Sequence, residues 1–171
     1  HSNKIVDDLL LIAREEAGQL RLDLRNIDLN AALAESADMA QASVEVLRLG
    51  QPAQTRVDPV RLRQCLLAVM NNASRYGGTR GRAWIERTGD WYDVYVEDDG
   101  PGMSDAEKDQ AFVRFFRGSG AQGTGVEGTG LGLVISKQLI DAMEGRLDVR
   151  SAPGAGSTFT ITLPAAETSA V

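Results

Sequence analysis

The chain has 171 residues, 43% of them hydrophobic and 25% charged, with a formal net charge of −6. That suits one globular domain with a short appendage and a real core, and it argues against a nucleic-acid partner, for which no basic stripe with interleaved aromatics exists either. A single cysteine, Cys65, excludes an intrachain disulfide and a thiolate metal cage and fits a reducing, cytosolic compartment, while no apolar run approaches the ~18 residues that span a bilayer.

His1-Ser2 reads as the remnant of an expression tag, which removes the only histidine from consideration. Residues 3–17 predict a helix, with Ile5, Leu9, Ile12 and Ala13 at helical spacing and Gly18 as a stop. So short a terminal helix is expected to belong to a neighbouring module. Leu20–Leu24 alternates with charges and suggests a short strand. Asp28 is positioned to cap a helix over Leu29–Ala40, and Ser43–Leu49 reads as a strand broken by Gly50-Gln51-Pro52. Asp58-Pro59 starts a long helix, with an acceptor at the N-cap and Pro at the first position. Leu62, Leu66, Val69 and Ala73 line its buried face, and it ends near Tyr76, before Gly77-Gly78.

Arg82–Arg87 and Tyr92–Glu97 read as strands joined by a turn at Thr88-Gly89-Asp90. Asp98-Asp99-Gly100-Pro101-Gly102-Met103 ends the second strand, and Ser104 with Glu107 forms a capping box for a helix reaching about Phe112. Residues 118–128 are glycine-rich without apolar periodicity and predict a mobile loop. Thr129–Glu144 reads as a helix stopped by Gly145, followed by strands over Leu147–Ser151 and Thr158–Leu163 around a Pro153-Gly154-Ala155-Gly156 turn. From Ala165 the tail is expected to be disordered. There is no internal repeat.

The densest chemical signal is Glu127-Gly128-Thr129-Gly130-Leu131-Gly132-Leu133, where glycines let backbone N–H groups approach a phosphate chain at the positive end of a helix. Three further segments accompany it: Met70-Asn71-Asn72-Ala73-Ser74-Arg75-Tyr76, then Asp98 to Met103, then Phe112-Val113-Arg114-Phe115-Phe116-Arg117. In this order they resemble the N, G1, F and G2 boxes of sensor histidine kinases, within the wider ATP-binding family of type II topoisomerases, certain chaperones and mismatch-repair proteins. Gly154-Ala155-Gly156-Ser157-Thr158-Phe159 resembles that family's final glycine turn. The resemblance covers about Asp28 to Pro164, and the ordered set is far more specific than any one motif.

It implies a two-layer α/β sandwich: a mixed β-sheet of five strands covered on one face by three helices. Residues 1–24 would be the end of a dimerisation helix and its linker, 25–164 the catalytic ATP-binding domain, and 165–171 a tail. ATP and Mg²⁺ are the implied cofactors. Asn72 offers a hard oxygen suited to Mg²⁺, whereas Asn71, about 100° round the helix, points elsewhere. Arg75 meets phosphate charge one turn on, and Tyr76 is a further contact. Asp98 accepts from the exocyclic amine of adenine, Asp99 fits a turn-forming role, and Gly100, Gly102 and Met103 pass against the purine. Phe112 and Phe115 read as core anchors. Arg117 swings onto the terminal phosphate, with Arg114 a weaker candidate. Thr129 caps the following helix, Gly128, Gly130, Leu131 and Gly132 direct backbone N–H groups at the phosphates, and Leu133 and Thr158 complete the binding set. Residues 118–127 resemble the ATP lid.

The chain departs from the pattern in two places. In the hydrolysing branches a glutamate four residues before the Mg²⁺ asparagine activates water; here Ala68 stands there, and alanine is no general base. The phosphoacceptor histidine belongs to the helix pair upstream, so this chain is expected to bind ATP without phosphorylating itself. The implied partners are its own dimerisation domain, a response-regulator receiver domain and a second copy in a homodimer, in a cytoplasmic domain whose parent is usually membrane-anchored. Two rival readings stand beside this one. The first is a degenerate kinase-like interaction module, supported by Ala68 alone. The second is a dinucleotide-binding oxidoreductase, for which Gly123-Thr124-Gly125-Val126-Glu127-Gly128 matches GxGxxG with Asp148 ~20 residues on. P-loop and protein-kinase signatures are absent.

Overall fold

The computed structural model describes residues 2–16, 18–75, 80–112 and 132–166. Five strands form the main sheet: β2 (Val44–Leu47), β4 (Gly81–Thr88), β5 (Trp91–Asp98), β6 (Arg146–Ser151) and β7 (Ser157–Pro164). Their spatial order is β2-β4-β5-β7-β6. Only the β2–β4 pair is parallel; β4–β5, β5–β7 and β6–β7 are antiparallel. The expected mixed sheet is therefore present, and it is not the parallel sheet of a dinucleotide fold.

Alternation decides which face is covered. Tyr92, Val94 and Val96 of β5 and Phe159, Ile161 and Leu163 of β7 are buried, as period-two strands on one core face require. Over that face lie α2 (Leu29–Met39), α3 (Pro59–Arg75) and α5 (Gly132–Ala142). They bring Leu33, Leu62, Leu66, Met70, Ile135, Leu139 and Ile140 into the same core. A short α4 (Asp105–Gln110) packs near β6. No helix among the described residues is long and apolar enough to cross a membrane.

The helix starts follow from their caps. Asp28 accepts the Asn30 N–H at 3.1 Å, and Asp58 accepts those of Val60 and Arg61 at 3.1 and 3.2 Å ahead of Pro59. Asp58 also holds the preceding linker through the Asp23 N–H at 3.0 Å. Ser104 and Glu107 form the reciprocal capping box. At the end of α5 the left-handed residue is Glu144, φ 64°, rather than Gly145. Gly145 instead leaves space that the Thr162 carbonyl occupies.

Four features differ from the sequence expectation. Leu20–Leu24 is not a strand. The strand begins later, as β1 (Arg25–Asp28), and pairs antiparallel with β3 (Gln54–Val57), a pair the sequence reading missed. Each has four residues, and β1 is polar apart from Ile27, so periodicity had little to register. The chain from Ala165 is not all loose tail: Ala165 bridges Thr55, and the Ala166 N–H reaches the Gln54 carbonyl at 2.8 Å. Finally, the N-terminal helix α1 (Ser2–Glu16) does not stand apart, since it packs on α5 with Leu11 and Ile12 buried in the common core.

Candidate functional site

The site is built at one end of the main sheet. Asp98 closes β5, and the alternation that buries Tyr92, Val94 and Val96 turns it towards the helix layer. Register places Ser157 of β7 directly beside it and Ser151 of β6 beside Ser157. Asp98, Ser157 and Ser151 thus form one row across three strands. The Asp98 carboxylate accepts the Gly100 N–H at 2.9 Å. Burial pushes its carboxyl above the usual carboxylate range, an effect that the N–H groups of Gly100 and Ser157 partly offset. A carboxylate so placed is desolvated and oriented, ready for a donor that water no longer supplies fully.

Asp99 has a different job. It accepts the Arg80 N–H at 3.0 Å and returns its own N–H to the Arg80 carbonyl at 3.2 Å, fixing the exit of β5. The turn that follows interlocks with the β6–β7 turn. The Gly154 N–H bonds the Pro101 carbonyl at 2.7 Å, and the Met103 N–H bonds Ser151 Oγ at 2.7 Å. Gly102 has φ +72° and Gly156 φ +71°, and a Cβ on either would run into a backbone carbonyl, of Ala152 and Asp98 respectively. The glycines are required by both conformation and close approach.

In the helix layer, α3 and α5 approach closely: a Cβ on Gly132 would lie 3.9 Å from that of Ala68. Asn72, one turn beyond Ala68, is half-buried. Asn71 points away and accepts the Gln41 N–H at 2.7 Å, tying α3 to the loop after α2. Arg75 is the last residue of α3, Gly132 opens α5, and Leu133 and Met103 pack against the core. Tyr76, Arg114, Arg117, Gly128, Thr129, Gly130, Leu131 and the expected lid lie outside the described residues. Thr158 pairs with Glu97 and Arg150, on the sheet face opposite Asp98, whereas Ser157 is the cross-strand partner of Asp98. A one-residue register decides this. Gly156 and Ser157 belong to the glycine-turn motif read from sequence but not to its site residues, and Ser151 lies outside that motif; small hydroxyls flanking a Gly-x-Gly turn are the available signal.

Cys65 lies behind the site, between α3 and α5. Its thiol donates to the Ser136 carbonyl at 3.7 Å, and burial raises its pKa to about 12. Since the thiolate is the nucleophile, iodoacetamide at about pH 8 is expected to leave the native domain unmodified and to label it fully in denaturant, as read by intact mass. A separate cavity of about 210 Å³ between α2 and the start of α3 contains none of the candidate residues.

Residues 57–167, well over half the chain, match the family model of histidine kinase-, DNA gyrase B- and HSP90-like ATPases. The chain belongs to that family. It is an ATP-binding domain of the histidine kinase-like ATPases, and its relatives are sensor kinases. It is 30% identical to the circadian input-output histidine kinase CikA of Synechococcus elongatus, over 96% of this chain and 23% of that protein. It is 33% identical to the sensor protein SphS of the same species, over 91% of this chain and 41% of the relative. The structure of full-length ShkA in complex with AMPPNP superposes with a TM-score of 0.79 at 26% identity, covering 99% of this chain and 37% of that one. The chain thus spans well under half the length of these curated relatives. Membership in a histidine kinase-like ATPase family sets aside the dinucleotide reading. Asp148, its would-be ribose ligand, is an exposed β6 residue paired with Arg146 at 2.9 Å.

Proposed function

We propose that this domain delivers the γ-phosphoryl group of ATP to a histidine on a dimerisation domain of its parent protein, from which the phosphate passes to an aspartate of a response regulator. The observation that carries the reading is the half-buried Asp98 carboxylate in its row with Ser157 and Ser151, beneath the helices that bear Asn72 and Gly132. Asp98 would accept from the adenine amine, with the Gly100–Met103 backbone as one wall. Phosphates would lie towards the start of α5, and Gly128, Thr129, Gly130, Leu131 and Gly132 would offer them N–H groups and helix-dipole charge. Arg75, Tyr76 and Arg117 would bind the phosphate chain, and positioning with charge neutralisation is most of what phosphoryl transfer asks of a protein.

The donor set suits Mg²⁺. Among the described residues no three His, Cys, Asp or Glu side chains come together as a metal cage. A single carboxamide oxygen, that of Asn72, fits an ion that keeps waters and phosphate oxygens as its other ligands. When bound, Mg²⁺ would neutralise charge on the transferring phosphate. Ala68 presents a methyl group where a water-activating base would stand, which favours transfer over hydrolysis.

The test is calorimetric titration with Mg·ATP, followed by γ-³²P-ATP with the parent's dimerisation domain added in trans. The expected product is acid-labile, base-stable label on the added domain, with no stable label on this domain alone. ATP binding followed only by release of inorganic phosphate would refute the transfer reading. Absence of ATP binding would leave the degenerate-module alternative.

A further inference from the structure

We infer that Ser151 is a positioning residue for the base end of this site: its hydroxyl joins the turn after Asp98 to the turn before Ser157 and fixes which protons Ser157 shows. The inference deepens the nucleotide reading and rests on it. Among the described residues, Ser151 Oγ has three neighbours within hydrogen-bond reach. The Met103 N–H donates to it at 2.7 Å, it donates to the Gly156 carbonyl at 2.7 Å, and Ser157 Oγ lies 2.8 Å away. A serine hydroxyl has one proton and two lone pairs. A carbonyl only accepts, so the Ser151 proton goes to Gly156. An N–H only donates, so Met103 occupies one lone pair. The remaining contact is then satisfied only if Ser157 gives its own proton to Ser151.

Two consequences follow. All the hydrogen-bonding capacity of Ser151 is used to hold together the two turns that flank Asp98. Ser157, its proton committed, keeps only lone pairs for anything on the face it shares with Asp98. The ends of β5 and β7 therefore form an acceptor-only edge, a carboxylate beside a hydroxyl oxygen. Such an edge matches the 6-amino group of adenine and offers no donor to the 6-oxo oxygen that guanine carries at the same place. Ser151→Ala removes the bridge, leaves the Met103 N–H without its acceptor, and frees the Ser157 proton to turn towards the ligand. A purely structural role would weaken all ligands through lower stability. This role predicts a change in discrimination as well.

The experiment compares the wild-type domain with Ser151→Ala and Ser151→Thr in titrations with adenosine, ADP and GDP, alongside thermal unfolding without nucleotide. Ser151→Ala is expected to lose about tenfold in affinity for adenosine and ADP alike, with no matching loss for GDP, so that adenine preference narrows. Ser151→Thr keeps the hydroxyl and is expected to stay within about threefold of wild type. Unchanged adenine affinity and preference in Ser151→Ala would overturn the inference, as would an equal loss in Ser151→Thr. If Ser151→Ala does not fold, amide exchange in the wild type decides: a protected Met103 N–H without nucleotide supports the bridge, and exchange at the unprotected rate rejects it. A wild-type domain that fails to bind ADP overturns the nucleotide reading instead, while Met103 exchange still reports on the bridge by itself.

Discussion

Asp98→Asn is expected to lower the affinity of the domain for ATP about a hundredfold without lowering the melting temperature of the nucleotide-free protein. The two effects have one origin. Burial raises the Asp98 pKa, and the N–H groups of Gly100 and Ser157 recover only part of that cost. A carboxyl whose folded pKa lies above its unfolded value of ~4 holds more protons in the folded state across that window. Stability from this group is therefore present below the window and falls as pH rises through it. At neutral pH the ionised Asp98 detracts from folding. Asparagine keeps an oxygen for the same N–H donors, has no charge to desolvate, and presents an NH₂ that opposes the adenine amine. For binding, the sign is reversed: the amine needs the ionised acceptor, so wild-type affinity declines as pH falls through the raised pKa. Calorimetry stepped from neutral into mildly acidic buffer, with thermal unfolding of both proteins, checks each part. Wild-type affinity in Asp98→Asn, or a marked drop in its apo melting temperature, would remove Asp98 from the adenine role.

The parts legible in sequence were those with long periodicity or strong local chemistry. Val94 and Val96 announce the inward face of β5, and Phe159, Ile161 and Leu163 that of β7. Asp58-Pro59 and the Ser104–Glu107 pair mark helix starts through caps that the structure shows bonded. What escaped depended on tertiary pairing. β1 and β3 are too short to show a period; they pair with each other, and Thr55 and Gln54 of β3 bond to Pro164 and Ala166 at the end of β7. The choice between Ser157 and Thr158 is one residue of register, which no property of Gly-Ala-Gly-Ser-Thr-Phe reveals alone. Ser151 gains its place only when β6 lies beside β7 and the Met103 turn folds over both. The ordered boxes point to a site, whereas its hydrogen-bond wiring is a consequence of strand order.

The same dependence makes two neighbouring glycines unequal. Gly154 and Gly156 both have left-handed backbones, φ +78° and +71°. For either, an alanine incurs the left-handed penalty of about 1 kcal/mol. At Gly154 that is the whole cost, because no atom lies within 4 Å of the new Cβ. At Gly156 the Cβ also meets the Asp98 carbonyl oxygen, with the Asp98 carbonyl carbon at 3.1 Å and the Asp99 Cα at 3.4 Å. None of these is the end of a flexible side chain. Asp98 is held by the β5–β7 ladder and Asp99 by Arg80, so relief requires parting the strands or moving the carboxylate. Gly156→Ala is therefore expected to destabilise by about 3 kcal/mol or more, against about 1 kcal/mol for Gly154→Ala, in chemical denaturation of the nucleotide-free domain. Whatever Gly156→Ala protein remains folded should also bind ATP poorly, since the obstacle is the backbone of the residue proposed to read the base. Equal and small costs at both positions would mean that the two turns slide freely past each other. The row of Asp98, Ser157 and Ser151 would then be too loosely held to select a base.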